Sequence, residues 1–147
     1  MEETCGFEGC YPMVDVLVGN RTSVRFDFYK IQKNQLIFVL LRFLDSRDDL
    51  IFHPENITAA LTNGKNLSEK IFRCADAVWD LTVLRSMPPI KGPIQIKKND
   101  CFLVFFDYQQ LNNQSITMGM DKAFTSNYRI MDVPTIYFRP NPNYKER

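Results

Sequence analysis

Histidine, tryptophan and glycine are scarce in this chain, at one, one and six copies in 147 residues. The scarcity of histidine and glycine removes chemistries. A sole imidazole, His53 beside Pro54, starves Ser-His-Asp and Cys-His catalysis of the base that activates the nucleophile, so a surface or lightly structural role is expected for it. A zinc site would have to use Cys5, Cys10, Cys74 and Cys101, at spacings of 5, 64 and 27 residues, where structural zinc brings paired C-x₂₋₄-C knuckles. The Gly-Lys pair in Asn63-Gly64-Lys65-Asn66-Leu67 has neither the upstream glycine nor the following Ser or Thr of a phosphate loop. Asn63-Gly64 is instead expected to form a type I′ hairpin turn. Asp45-Ser46-Arg47-Asp48-Asp49 sets an arginine among oxygens that would need to alternate around calcium. The expectation is no cofactor, no metal site and no assignable catalytic residue.

Charge of one sign is missing too. Eighteen basic and 17 acidic residues leave a net charge of +1, which builds no field of the kind a phosphate backbone selects, and nucleic acid is excluded as an expected partner. The longest uncharged apolar run, Leu36 to Leu41, ends at Arg42, far short of the ~20 residues of a membrane-spanning helix. The start carries Glu2 and Glu3 in place of a basic n-region, and no apolar stretch of signal-peptide length follows. Two expectations compete. Residues 1–12 are the cysteine-bearing leader of a processed, exported chain, or Met1 is the native start and the protein is cytoplasmic.

What is present is apolar area. A hydrophobic content of 45% and twelve phenylalanines suffice to offset chain entropy in one domain. The pattern is that of strands. Val14 to Val18 ends at Gly19-Asn20, and Val24 to Tyr29 alternates, with Val24, Phe26 and Phe28 on one face and Arg25, Asp27 and Tyr29 on a wet one. Leu36 to Leu44 is apolar on both parities, which suits a central strand buried on both sides. Further short runs follow at Leu50 to Phe52, Asn56 to Thr62, Ile94 to Lys97, Cys101 to Phe106 and Val133 to Phe138. The expected fold is mainly β, a single-domain antiparallel β-sandwich over 13–139 that resembles the immunoglobulin-like architecture in strand pattern only. Residues 140–147 are a polar tail.

Leu67 to Leu84 departs from period two. Its charges and apolar residues fall at helical spacing, with Asn66 or Ser68 as N-cap, so a short helix is expected at about 67–80. The alternative is a strand from Val78 to Leu84. Met87-Pro88-Pro89-Ile90-Lys91-Gly92-Pro93 must be a stiff connector.

Four cysteines with no metal spacing suggest two disulfides in an oxidising compartment, Cys5 to Cys10 and, by elimination, Cys74 to Cys101. Four free thiols, with Cys74 and Cys101 buried as small hydrophobes, is the alternative. Sequons at Asn20, Asn56, Asn66 and Asn113 are N-glycan acceptors in a eukaryotic secreted chain and turn asparagines in a bacterium. Tyr29, Tyr108 and Tyr128 fall on polar parity or in loops, where an aromatic hydroxyl suits an interface. The general look is similar to bacterial envelope lipoproteins and secreted binding modules. The expectation is therefore a non-enzymatic extracytoplasmic module for protein or glycan binding or envelope assembly. A cytosolic accessory or oligomerisation domain with reduced cysteines, and a small carboxylate-dependent hydrolase, are the alternatives.

Overall fold

The computed structural model describes residues 13–18, 22–31, 36–45, 49–67, 69–76, 78, 80–107 and 115–138. The chain is mainly β, and every strand pairing among the described residues is antiparallel. The largest sheet joins β1 (Met13–Val18), β2 (Thr22–Ile31), β3 (Leu36–Asp45), β8 (Cys101–Asp107) and β6 (Glu69–Arg73), in that spatial order. A four-stranded sheet runs β11 (Arg129–Ile130), β10 (Phe124–Ser126), β4 (Leu50–Phe52) and β7 (Ile94–Gln95), and a three-stranded one β12 (Ile136–Phe138), β9 (Ile116–Gly119) and β5 (Thr58–Leu61).

The inward parity of the large sheet, Val24, Phe26 and Phe28 with Val39, Leu41, Phe43, Phe102 and Val104, joins side chains of both smaller sheets in one buried cluster. Phe28 meets Phe138 at 4.8 Å between ring centroids, and Phe52 meets Phe102 at 4.9 Å and Phe124 at 5.1 Å. Side chains of all three sheets thus share one core, which is compatible with the immunoglobulin-like architecture the strand pattern suggests. The central-strand expectation holds for β3, which pairs with β2 on one side and β8 on the other.

Its second face is buried at Phe38 and half-buried at Leu40, where a helix covers it, while Arg42 on that face is exposed. Phe38, Phe72, Leu103 and Phe105 form a separate cluster with Leu84 of α1 (Leu81–Ser86). The helix expected at about 67–80 is thus corrected. Residues 69–73 are strand β6, Cys74–Asp76 is a 3₁₀ turn, and the α-helix begins after Asp80, whose carboxylate accepts from the Val83 N–H at 3.2 Å. Its N-cap is Asp80 and not the expected Asn66, Ser68 lies outside the described residues, and Leu81 to Leu84, inside the alternative strand, is helical. The physical reason lies in Ile71 and Phe72. Both are buried, on opposite faces of the strand, and such an apolar doublet imitates helical spacing when both faces of a sheet are covered. Lys70 fastens the helix from below: its ammonium donates to the carbonyls of Leu84, Arg85 and Met87, the last at 3.0 Å, and so satisfies groups a helix C-terminus leaves open.

Two further local expectations change. The turn after β5 carries its left-handed residue at Gly64, with φ of 86°, while Gly64 N–H donates to Leu61 O at 2.9 Å and Leu61 N–H to Lys65 O at 2.9 Å. That is a type I turn with a glycine bulge rather than the expected type I′. On the expected wet face of β2, Arg25 binds Asp15 through two hydrogen bonds of 2.8 and 3.1 Å, but Asp27 is buried. Burial pushes its carboxyl above the usual range, against the pull of Arg25 and Arg42, with Asp15 adding to the rise.

Cys74 and Cys101 form a disulfide, with their Cα atoms 5.4 Å apart, across the ends of neighbouring β6 and β8. Cys5 and Cys10 lie outside the described residues. Replacing Cys74 and Cys101 together by Ser is expected to cost about 3–4 kcal/mol, from the loop-closure entropy of a 27-residue separation, measured by denaturant unfolding against the oxidised parent. Phe52→Ala, at the meeting point of Phe43, Phe102 and Phe124, should cost about 3–5 kcal/mol in the same assay.

Candidate functional site

The four-residue stretch His53-Pro54-Glu55-Asn56 turns the chain from β4 toward β5, and Pro54–Asn56 forms a single 3₁₀ turn with proline at its start, where a missing N–H does no harm. Two distant segments, 122–125 and the one at Gly92, are fastened to this corner. The His53 N–H donates to Ala123 O at 2.7 Å, and its Nε2 lies 3.0 Å from Thr125 Oγ1. The Asn56 carboxamide donates to Lys122 O at 2.9 Å, and the Gly92 N–H donates to the Glu55 carboxylate at 2.9 Å. Gly92 is required for contact of this kind, since a Cβ there would lie 2.6 Å from Phe52 O and 3.0 Å from the His53 Cα.

Beside the corner opens a pocket of about 150 Å³ lined by Pro54, Glu55, Glu69, Ile71, Pro89, Ile90 and Lys91. Its two carboxyls differ. Partial burial opposes ionisation of Glu55, but the Gly92 N–H, its own backbone N–H and the nearby His53 and Lys91 outweigh it and hold the carboxyl below its usual range. Glu69, at the start of β6, is pushed up by burial, only partly offset by its own backbone N–H. Two carboxyls driven apart in this way form the pattern from which acid and base roles are built. The size argues against a small-molecule substrate, because ligand pockets occupy roughly 300–1,000 Å³. What fits is the end of a side chain or a few water molecules.

Thr125, His53 and Glu55 stand in the order hydroxyl, imidazole, carboxylate. The last step fails as a triad: His53 Nδ1 and the Glu55 carboxylate are 3.9 Å apart, beyond hydrogen-bond reach, and the other Glu55 oxygen is committed to Gly92. The single histidine therefore serves the corner, in keeping with the structural role expected of it. Among the described residues no three His, Cys, Asp or Glu side chains cluster as metal ligands, and no helix is long and apolar enough to cross a membrane.

At another surface, β10 and β11 are joined by Asn127 and Tyr128, with φ of 50° and 64°. Positive φ at both positions makes this a type I′ turn, which favours Asn-Gly. Tyrosine stands where glycine would be relaxed, and its side chain is fully exposed. Arg129 and Ile130 beside it are exposed as well. Of the other expected interface residues, Tyr29 lies in β2 with its side chain outside what is described, and Tyr108 lies outside the described residues. Asn20 and Asn113 also fall outside them, whereas Asn56 is in the corner and Asn66 is exposed beyond β5. The corner gives no signal in sequence, since its partners are 36 or more positions away from it in the chain.

Comparison with protein-family models, with curated proteins and with solved structures gives no match.

Because the folded state keeps Glu69 protonated to higher pH than the unfolded chain does, its own contribution to stability is expected to fall as pH rises upward from the ordinary carboxylate range. Glu69→Gln should flatten that part of the stability curve and unfold later than the parent at pH 7, measured by thermal melts across pH. Gly92→Ala should lower stability by about 1–3 kcal/mol through overpacking against Phe52 and His53.

Proposed function

We propose that this chain is a non-enzymatic extracytoplasmic module that engages a protein or glycan partner, or a neighbouring member of an envelope assembly, through the tip of the β10–β11 hairpin. Tyr128 carries this reading. A bulky residue in the left-handed region costs about 1–2 kcal/mol, and strain of that kind concentrates at recognition sites. The ring is fully exposed, so no packing among the described residues offsets the cost, while tyrosine beside arginine is the composition of interface hot spots. A protein partner is favoured, because Tyr128, Arg129 and Ile130 together offer aromatic, cationic and aliphatic surface. The Cys74–Cys101 disulfide supports an oxidising compartment.

The Glu55–Glu69 pocket favours a second reading, a small carboxylate-dependent hydrolase, against which its volume weighs. The third, a cytosolic accessory or oligomerisation domain, requires reduced cysteines. Protein purified from its native host under denaturing, non-reducing conditions is expected to show no free thiol at Cys74 or Cys101, and free thiols there would sink the extracytoplasmic reading.

Tyr128→Gly should raise the melting temperature, with a gain of about 1 kcal/mol from relief of the left-handed backbone, and abolish partner binding. A photoreactive phenylalanine analogue at position 128 should form a covalent adduct in native-host cells, while the same group at exposed Lys98 forms none. No adduct at 128, or equal adducts at both, would overturn the assignment of the hairpin tip.

A further inference from the structure

We infer that Asn66 is an N-glycan acceptor and that Asn56, in the preceding sequon, is not; this rests on the extracytoplasmic reading above and requires a host secretory pathway that glycosylates asparagine. Sequons are more frequent here than composition predicts. Eleven asparagines, followed two positions later by Ser or Thr in roughly a tenth of cases, would give about one, and the chain has four. Two of the four acceptor asparagines lie in described parts of the fold, and their environments are opposite.

The atom that acquires the sugar is the carboxamide nitrogen. In Asn56 that nitrogen donates to Lys122 O at 2.9 Å, inside the corner that joins β4 to β10. The acceptor carbonyl belongs to a residue held at φ of 62°, and Asn56 itself is partly buried, between Glu55, which binds Gly92, and fully packed Ile57. A glycan on Asn56 Nδ2 would have to leave through the segment it fastens. Asn66 stands opposite Ala60 of β5 in an isolated backbone bridge, at the end of an exposed run from Thr62. Its neighbour Leu67 anchors the strand by burial and by an N–H donated to Ala59 O at 2.9 Å. The Asn66 carboxamide has no partner among the described residues. A glycan there leaves every described contact in place.

The reaction is a substitution. The Asn66 amide nitrogen forms a bond to the anomeric carbon of a lipid-linked glycosyl diphosphate, the carbon–oxygen bond to the diphosphate breaks, the diphosphate leaves with the electron pair, and the nitrogen loses one proton. No oxidant or reductant is involved.

The test is secretion of the full chain, behind a cleavable signal, from a eukaryotic host, followed by peptide mass spectrometry before and after amidase removal of N-glycans in heavy-oxygen water. The expected result is conversion to labelled Asp at position 66 and none at position 56. Asn66→Gln and Ser68→Ala should each lose the mass of one glycan and still be secreted, while Thr58→Ala should lose none. An unmodified Asn66, or a modified Asn56 in the secreted protein, overturns the inference. The thiol state of Cys74 and Cys101 in protein from the native host is read separately. Free thiols there overturn the extracytoplasmic reading, and an unmodified Asn66 in disulfide-bonded secreted protein overturns the glycan site alone.

Discussion

Strands β3 and β8 run side by side with seven residues in register, from Leu36↔Asp107 to Arg42↔Cys101, and each face of the middle of this ladder carries buried side chains, while Arg42 at its end is exposed. On one face Val39, Leu41, Phe102 and Val104 meet the two smaller sheets; on the other Phe38, Leu103 and Phe105 meet Leu84 of the helix. A sheet covered twice must have something to cover it twice, and the remaining structure follows from that demand. The helix is only six residues long, too short to be stable by propensity. It persists because Asp80 caps its start, Lys70 binds carbonyls at its end, and the Cys74–Cys101 bridge ties the strand beneath it to β8.

The same economy of short elements explains the corner at His53–Asn56. Strands of two to four residues, such as β4, β7, β10 and β11, hold few ladder hydrogen bonds, and a two- or three-residue strand does not fix its own neighbours. Side chains supply what the ladders do not. His53, Glu55 and Asn56 bind the 122–125 and 92 segments, so that a polar turn holds the four-stranded sheet against the connector. Glu55 pays part of its desolvation back through Gly92. The pocket beside it lies at this joint, and its two carboxyls sit in different environments, Glu55 bound to the Gly92 N–H and Glu69 more deeply buried at the start of β6.

The strands with long, consistent patterns were legible: β2 by its alternation, β3 by its run of apolar residues, β8 by Phe102, Val104 and Phe106. The 69–73 strand was not, because Ile71 and Phe72 are both buried and the resulting doublet looks helical. The β9 to β11 strands went unassigned for a different reason. They are two to four residues long, and period two needs more residues than that to rise above chance. Of the site, Tyr128 was legible as a tyrosine on polar parity or in a loop, but its left-handed backbone was not, because the turn that places tyrosine at a glycine position had no sequence reading. The burial of Asp27 on an expected wet face had no local sign at all.

Composition and periodicity by themselves determined that this chain folds as a β-rich domain around phenylalanines, that it offers no cluster of histidines for chemistry, and that no apolar run spans a bilayer. Those are properties of residue counts and of spacing along one segment. Tertiary structure brought the expected pair Cys74 and Cys101 together and decided that Asn56 is tied down while Asn66 is exposed, and that Tyr128 is held at a hairpin tip. Each of these depends on atoms far apart in sequence being brought within a few ångströms, and hydrogen bonds, disulfides and burial act only at that range.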